Sequence, residues 1–409
     1  MDNQNYIKIK EGLANFYIHK NDAEQIPSKS MNVFYNKRMI INRDITILSL
    51  LAYQNLYNQK PITIVDSMAA SGIGSIRISL ECKGIKKIYI NDMNPITLNL
   101  IEKNLHLNQL NNSNIEIVIS NKDANFLFSE INQNHMLKSD NSGKADVISI
   151  DPFGTPNIYL DAAFKALKKS MSLICITATD TTVLFGIKPD ACFRKYLSKS
   201  LYNEYCKEIG ARILLHFTAR IANVNRLGII PLLTFYSQHF IRIFCLTFKN
   251  VKKINESFDN YGYIIHCNKC GFRRILNYNI VNTELECLCC KPQNDLSYAG
   301  PLWVGEIHQK EFIELISELN QELNLPNKKR LSKILNYIGE EINMPFSYYN
   351  VHKLCKELKI KVVPKLENII EGIRNLGYQA SRTHFDFTSI KTNLNIFDLK
   401  NLFHTNHFK

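Results

Sequence analysis

ADVISIDPFG, residues 145–154, is the segment from which the fold of this chain can be read. Its first six residues form an apolar run that predicts a buried strand, and Pro152 and Gly154 end that strand. Asp151 and Phe153 therefore lie at the carboxyl end of a strand, which is where open α/β sheets bind ligands. The combination suits a site that holds a flat ring beside a carboxylate in contact with the ring's exocyclic nitrogen. The alternative is an ordinary strand-to-helix turn in which Asp151 caps the next helix.

Similar runs lie on both sides of this segment. Residues 61–66, 87–92, 115–119 and 172–177 each predict a strand, and helical periodicity separates them. Four βα units in series predict a doubly wound, Rossmann-like α/β sheet.

The loops after the first three strands carry candidate ligand contacts. Residues 67–74 are small, which lets the backbone approach a ligand, but the third glycine of a dinucleotide-binding signature is missing. Asp92 ends the second strand, where an acid accepts hydrogen bonds from both ribose hydroxyls. Asp123 follows the third strand, and it either meets an adenine amino group or caps the next helix.

Three further strands are predicted at 212–218, 232–236 and 240–248. A trailing antiparallel pair of this kind is usual for S-adenosylmethionine methyltransferases and less so for dehydrogenases. We therefore expect a class I methyltransferase sheet.

Composition restricts the partners and the compartment. The net charge of the 409 residues is +13, which favours nucleic acid, although a Lys- and Asn-rich proteome would give the same bias. The N-terminus has no secretory pattern, and no apolar run reaches the ~18 residues of a membrane span. We therefore expect a cytoplasmic protein with no membrane partner, in which the 11 cysteines are thiols or metal ligands.

Two Cys-x-x-Cys pairs, Cys267 with Cys270 and Cys287 with Cys290, are separated by 16 residues. This spacing predicts a tetrahedral zinc site, with Cys289 as a bystander. Four thiolates leave no open position on the metal, so the zinc is expected to be structural.

The C-terminal part is basic. Residues 344–409 contain ten Lys or Arg and five Asp or Glu, a net charge of +5. Predicted helices at 348–358 and 364–376, followed by an extended stretch, are similar to a winged helix, an α+β arrangement. We expect a methyltransferase domain at 1–255, a zinc-binding segment at 256–300 and a C-terminal domain at 301–409 that binds nucleic acid; a protein-docking module is the alternative for the last.

Together these motifs resemble the tRNA guanine-26 N2-dimethyltransferases, especially their archaeal members. The resemblance covers nearly the whole chain, and the segments that carry it are VFYNKRM (33–39) with NRD (42–44), DPFG (151–154), TATD (177–180), the two cysteine pairs, GPLW (300–303), and RTHF (382–385) with IKT (390–392).

The resemblance implies two successive methyl transfers from S-adenosylmethionine to N2 of a guanine in tRNA. It also implies a set of cofactor contacts: Arg38, Arg77, Asp92, Asp123 and Ala124. One departure is that Gly74 replaces the first Arg of the family's T-G-x-R-G-x-R pattern, whereas Arg77 matches the second.

Physical argument assigns the acceptor side to Asp151, Pro152 and Phe153. We expect Asp151 to accept a hydrogen bond from the base amine and to stabilise the developing charge, either as a hydrogen-bond acceptor alone or also as the general base that takes the proton. The Pro152 carbonyl is a second acceptor, and Phe153 either stacks on the base or forms a wall of the pocket. The same loop suits another exocyclic amine, such as adenine N6, and a non-catalytic RNA-binding module is the more distant alternative. We expect tRNA as the partner, with no obligate protein partner.

Overall fold

The structure is a computed structural model, and it describes residues 5–24, 31–137, 143–278 and 295–405. Its strands in chain order are β1 (Tyr6–Glu11), β2 (Ala14–His19), β3 (Ile62–Asp66), β4 (Ile85–Asn91), β5 (Glu116–Ser120), β6 (Val147–Ile150), β7 (Leu173–Ala178), β8 (Gly228–Ser237), β9 (Phe240–Phe248), β10 (Tyr261–Cys267), β11 (Arg273–Asn277), β12 (Leu296–Trp303), β13 (Tyr349–Asn350), β14 (Ala380–Arg382) and β15 (Ser389–Thr392).

The α-helices connect these strands and cover their faces. In chain order they are α1 (Lys20–Glu24), α2 (Ile40–Leu56), α3 (Ile73–Glu81), α4 (Ile96–Leu107), α5 (Ala124–Leu137), α6 (Leu160–Ala166), α7 (Thr181–Leu184), α8 (Pro189–Tyr196), α9 (Cys206–Val224), α10 (Val251–Glu256), α11 (Lys310–Glu322), α12 (Lys328–Glu341), α13 (Val351–Glu357), α14 (Leu366–Asn375) and α15 (Ile396–His404). Among the described residues, no helix has both the length and the apolar character needed to cross a membrane.

A seven-stranded sheet lies at the centre, in the order β5-β4-β3-β6-β7-β9-β8. Strands β3 to β7 are parallel, and β9 runs antiparallel to both β7 and β8. The predicted α/β sheet and its trailing antiparallel pair are therefore confirmed. The strand order reverses between β3 and β6, so the carboxyl ends of these two strands flank the crevice in which α/β sheets bind ligands.

One predicted strand is wrong. Residues 212–218 lie inside α9, a helix of 19 residues. Ile213, Leu214 and Leu215 are all fully buried, because α9 packs between the sheet and β12. A helix buried on nearly all sides has an apolar run without helical periodicity, so the local pattern imitates a strand.

The predicted zinc segment is described in part. β10 pairs with β11 and β12 in a separate antiparallel sheet, and Cys267 and Cys270 lie at the turn that ends β10. Cys287 and Cys290 lie outside the described residues. The zinc-binding insert therefore stays a prediction.

The C-terminal residues form a separate small core. β13, β15 and β14 make a three-stranded antiparallel sheet covered by α13, α14 and α15, with Val351, Ile369, Ile390 and Leu399 fully buried inside. The two predicted helices and the extended segment are present, whereas the winged-helix assignment stays a prediction. The pair α11 and α12 precedes this unit. Helix α11 packs on α2 and on α12, so residues 310–341 share the hydrophobic core of the first part of the chain.

A buried ion-pair cluster ties the N-terminal hairpin to α2 and α3. The Arg77 guanidinium is fully buried and lies 2.9 Å from Glu11, 2.6 Å from Asp44 and 2.8 Å from Glu81. Burial alone raises the pKa of Glu11, but Arg43 and Arg77 outweigh it and bring the pKa below its ordinary value. Asp44 also accepts hydrogen bonds from Asn327, which links the cluster to α12.

Replacing Arg77 with methionine should destabilise the fold by about 3–5 kcal/mol, because the buried charge of Asp44 would lose its cationic partner and Glu11 would keep only Arg43. Urea denaturation followed by circular dichroism measures this change. Lys165→Met is the matched control, since Lys165 forms an exposed pair with Asp161 whose loss should cost less than about 1 kcal/mol. Equal effects of the two substitutions would contradict the structural role of Arg77.

Candidate functional site

A cavity of about 670 Å³ opens at the carboxyl ends of β3, β4, β5 and β6. Its size lies within the range of small-molecule sites. Four aspartates from the ends of four different strands line it: Asp66, Asp92, Asp123 and Asp151. Parallel strands bring residues that are distant in sequence to one edge of the sheet, which explains this convergence.

The loop between β3 and α3 forms one wall. Gly72 has φ of +75°, and a Cβ there would lie 3.1 Å from Ile101, so the turn requires glycine. Gly74 also lines the cavity. A Cβ at position 74, where the family pattern has Arg, would lie 3.5 Å from the Asp66 carboxylate, which is an ordinary contact.

Asp92 is held in place by the backbone. Its Oδ2 accepts a hydrogen bond from the Ala70 N–H at 2.8 Å, and its Oδ1 accepts one from the Asn94 N–H at 2.9 Å. Burial raises the pKa of Asp92, and these two N–H groups offset part of the rise. Each oxygen keeps acceptor capacity towards the cavity, which is the arrangement that two ribose hydroxyls need.

Asp123 caps α5. Its Oδ1 accepts hydrogen bonds from the N–H groups of Asn125 at 2.9 Å and Phe126 at 3.3 Å. Asp123 and the buried Ala124 also line the cavity, so the capping role and a ligand contact are compatible.

The Asp151 loop is fastened to the end of β7. The Gly154 N–H donates to Thr179 Oγ1 at 2.6 Å, and the Thr179 N–H donates to the Gly154 carbonyl at 3.0 Å. Phe153 is 45% exposed and makes an edge contact with Phe34, with ring centroids 4.5 Å apart. The loop thus presents a carboxylate and an aromatic face side by side at the cavity.

Two side chains that the sequence analysis did not select orient Asp151. Asn42 on α2 donates from Nδ2 to Asp151 Oδ2 at 3.0 Å, and Arg242 on β9 lies 3.8 Å from the same oxygen. Burial raises the pKa of Asp151, and Arg242 offsets part of the rise. A raised pKa makes the carboxylate a better proton acceptor.

Arg242 itself is buried, and it donates to Thr177 Oγ1 at 2.5 Å and to Ser149 Oγ at 3.2 Å. A charged residue in the middle of the apolar run FIRIF (240–244) was the signal that could have identified it. His239, at the tip of the β8–β9 hairpin, also lines the cavity; burial lowers its pKa, and the positive charge of Arg38 lowers it further.

The structure does not bring all of the predicted site residues together. Pro152 lines the cavity together with Asp151 and Phe153. Arg77 lies in the buried ion-pair cluster, where three carboxylates occupy its guanidinium, and Arg38 is exposed near His239. Neither arginine lines the cavity.

Comparisons with known proteins place the chain in a family. Residues 14–403 match the sequence model of the N2,N2-dimethylguanosine tRNA methyltransferases. The chain belongs to this family. The resemblance drawn from its motifs is therefore confirmed.

Alignments with relatives from this dimethylguanosine methyltransferase family cover almost the full chain. One is the tRNA (guanine(26)-N(2))-dimethyltransferase of Methanosphaera stadtmanae, 36% identical over 394 residues, which cover 96% of this chain and 95% of the relative. Another, of the same name, is from Pyrococcus abyssi, 36% identical over 397 residues and covering 94% and 95%. The structure matches that of Trm1 from Pyrococcus horikoshii in complex with S-adenosyl-L-methionine, with a TM-score of 0.80, 31% identity, and coverage of 97% and 99%.

A second polar cluster of this family member lies away from the cavity. His308, Glu341 and His384 are buried together, and among the described residues they are the group whose side chains could hold a metal ion. The charge of Glu341 is already compensated without a metal ion. Its carboxylate contacts His384, accepts a hydrogen bond from Thr383 Oγ1 at 2.6 Å and lies 3.7 Å from Lys391. Burial lowers the pKa of His308 to about 4, so this imidazole is neutral. The cluster joins α12 to the C-terminal unit.

The cavity aspartates should produce a specific pH dependence of stability. Burial raises the pKa of Asp66 to about 6, whereas the pKa of an aspartate in an unfolded chain is about 3.9. The folded state thus binds a proton that the unfolded chain releases, and Asp66 should lower stability as the pH rises from about 4 to 6. Asp66→Asn, which keeps an acceptor for Ser75, should gain melting temperature relative to wild type across that window.

The control for this measurement is Asp161→Asn. Lys165 and Asn225 lower the pKa of Asp161, so the stability difference between Asp161→Asn and wild type should stay constant from about pH 4 to 6 and change only below about pH 4. A difference between wild type and Asp66→Asn that did not vary with pH would contradict the raised pKa.

Proposed function

We propose that this chain transfers two methyl groups in succession from S-adenosylmethionine to N2 of guanine 26 in tRNA. The observation that carries the proposal is the oriented Asp151 loop at the cavity, in a chain whose relatives are named tRNA (guanine(26)-N(2))-dimethyltransferases over more than nine-tenths of its length. Those names favour guanine N2 over adenine N6 as the acceptor. A substrate of this kind supports a cytoplasmic location, which stays a prediction.

The cofactor is proposed to occupy the side of the cavity formed by the β3, β4 and β5 loops. Asp92 would accept hydrogen bonds from the ribose hydroxyls. Asp123 and Ala124 would border the adenine. The small residues at 67–74 leave room for close approach to the backbone. Arg38 stays a predicted contact at the rim, and Arg77 is assigned to stability.

S-adenosylmethionine supplies an electrophilic methyl group when it is bound. The guanine N2 amine is a weak nucleophile, because its lone pair is delocalised into the ring, so positioning contributes much of the rate. Asp151 accepts a hydrogen bond from N2–H and stabilises the positive charge that develops on nitrogen. Asn42 and Arg242 fix the orientation of this carboxylate.

The same carboxylate serves both transfers. Guanine N2 carries two hydrogens and N2-methylguanine carries one, so an N–H faces Asp151 before each transfer. The raised pKa of Asp151 suits acceptance of the proton that each transfer releases. Phe153, braced by Phe34, stacks on the base, and the Pro152 carbonyl is proposed as a second acceptor.

A structural zinc ion is proposed for the sheet that contains β10. Cys267 is fully buried, and the Gly271 N–H donates to the Cys267 carbonyl at 2.9 Å, with Gly271 at φ of +82°. A tight turn between the two cysteines of a Cys-x-x-Cys pair fits one half of a tetrahedral zinc site. Cys287 and Cys290 are proposed as the other ligands.

The division of labour follows the domain expectation. We propose that residues 1–255 hold the methyl-transfer site, that 256–300 bind zinc, and that 301–409, including a winged-helix-like C-terminal unit, contact tRNA. The net charge of +5 over residues 344–409 supports the last assignment.

The proposed activity is tested with unmodified tRNA and labelled S-adenosylmethionine, followed by mass analysis of the nucleosides. Wild type should yield N2,N2-dimethylguanosine at position 26. Asp151→Asn and Asp151→Ala should lower kcat by at least about 10²-fold, because the charge on the acceptor of the amine proton is removed. Cofactor affinity, measured by calorimetry, should stay unchanged.

Asp161→Asn is the matched control, because this exposed carboxylate on α6 lies outside the cavity lining. Its kcat should equal that of wild type. Full activity of both Asp151 variants would remove Asp151 from the reaction.

Zinc removal should lower the melting temperature without altering the chemistry of the methyl-transfer site. Metal analysis of wild type should give one zinc per chain, and Cys267→Ser should lose it and unfold at a lower temperature. Cys355→Ser, a buried cysteine of the C-terminal unit, is the control and should keep its zinc. An unchanged melting temperature after complete zinc removal would exclude a structural metal.

A further inference from the structure

Beside the proposed base site, residues 186–202 expose an unusual combination of apolar and basic side chains. The exposed apolar residues are Ile187 at 57%, Phe193 at 56%, Leu197 at 50% and Tyr202 at 69%. The same segment contains four Lys or Arg and one Asp, a net charge of +3.

We infer that this segment, the α8 platform, contacts the tRNA nucleotides that flank the guanine undergoing methylation. This inference rests on the proposed function, and it adds the surface that receives the substrate. Phe193 stacks on an exposed base, while Lys188 and Arg194 contact the backbone phosphates.

The platform is built onto the loop that carries Asp151. The buried Tyr196 of α8 donates its hydroxyl hydrogen to Asp180 Oδ1 at 2.9 Å, at the end of β7. Thr155, one residue after the Asp151 loop, donates to the Tyr196 hydroxyl at 3.3 Å, and the Asn157 side chain donates to the Lys195 carbonyl. The platform and the base site are therefore held in one geometry.

The outward face is formed by residues that helical spacing brings together. Cys192 and Tyr196, one helical turn apart, are buried against the protein, whereas Phe193 and the helix-ending Leu197 are exposed. At the other end of the segment, Gly186 packs against the backbone of residues 201 and 202, since a Cβ there would lie 2.5 Å from the Tyr202 nitrogen. The two ends of the segment therefore lie close together.

The charges favour a polyanion over another protein surface. Lys195 lies 3.3 Å from Asp180, and Lys199 lies over the Tyr298 ring at 4.1 Å. Within the described part of the chain, Lys188 and Arg194 have no carboxylate partner, so both are available to phosphates. Aromatic faces between unpaired cations are how proteins hold unpaired nucleotides.

Extrusion of a guanine from folded tRNA leaves its neighbours unstacked. An exposed phenyl ring fastened next to the base pocket compensates those neighbours for the lost stacking, which gives a physical reason for an exposed Phe193. The platform therefore acts in binding and positioning of the substrate, and it does not touch the reacting atoms.

The test measures tRNA binding by fluorescence anisotropy and methylation kinetics in parallel. Phe193→Ala should raise Kd and KM for tRNA about 5- to 100-fold with little change in kcat. Arg194→Ala should weaken binding and reduce the slope of log K against log salt by about 1. Affinity for S-adenosylmethionine should stay at the wild-type value in both variants.

Matched controls come from the opposite edge of the sheet. Phe258 and Lys252 lie after the end of β9, where the antiparallel strand has carried the chain away from the cavity. Phe258→Ala and Lys252→Ala should keep wild-type Kd and KM for tRNA.

Platform variants that bind tRNA as wild type does would overturn the inference. If such variants also changed the oligomeric state, the surface would be assigned to contacts between copies of the chain. The outcome is separable from the proposed function. Wild type that binds tRNA without methylating it would remove the proposed activity, and the anisotropy of the variants would still test the platform.

Discussion

The parallel register of β3, β4, β5 and β6 is the constraint on which the rest of the site depends. Because all four strands point the same way, the residues at or just beyond their carboxyl ends reach the same edge of the sheet. That geometry concentrates Asp66, Asp92, Asp123 and Asp151 around one cavity. Burial raises the pKa values of Asp66, Asp92 and Asp151, and at Asp66 the negative charges of Asp151 and Asp92 add to the rise.

Arg242 offsets part of the rise that burial causes in the pKa of Asp151. It enters on the antiparallel strand β9, and its buried guanidinium lies near Asp151 while it donates hydrogen bonds to Thr177 and Ser149. The carboxylate is thus held between a fixed positive charge and the Asn42 amide. An acceptor with fixed orientation needs little rearrangement when charge develops on the substrate.

The ion-pair cluster of Arg77 shows how a motif position can serve the scaffold instead of the ligand. Its three carboxylate partners come from β1, α2 and α3, and Asp44 extends the cluster to α12 through Asn327. The cluster thereby holds α2 in position, and α2 carries Asn42, which donates a hydrogen bond to Asp151. Arg77 acts on the site through this packing.

The amino-acid sequence by itself determined the βα order, the acids at the strand ends, the Asp151 loop and the family. These features are local, since a strand end or a loop motif is written in neighbouring residues. Only the tertiary structure decided that residues 212–218 are helical, because their burial on nearly all sides removed the periodicity that marks a helix. It also decided that Arg77 serves the ion-pair cluster and that Arg242 and Asn42 orient Asp151, because partners 33, 91 and 109 residues apart in the chain meet only once the sheet has formed.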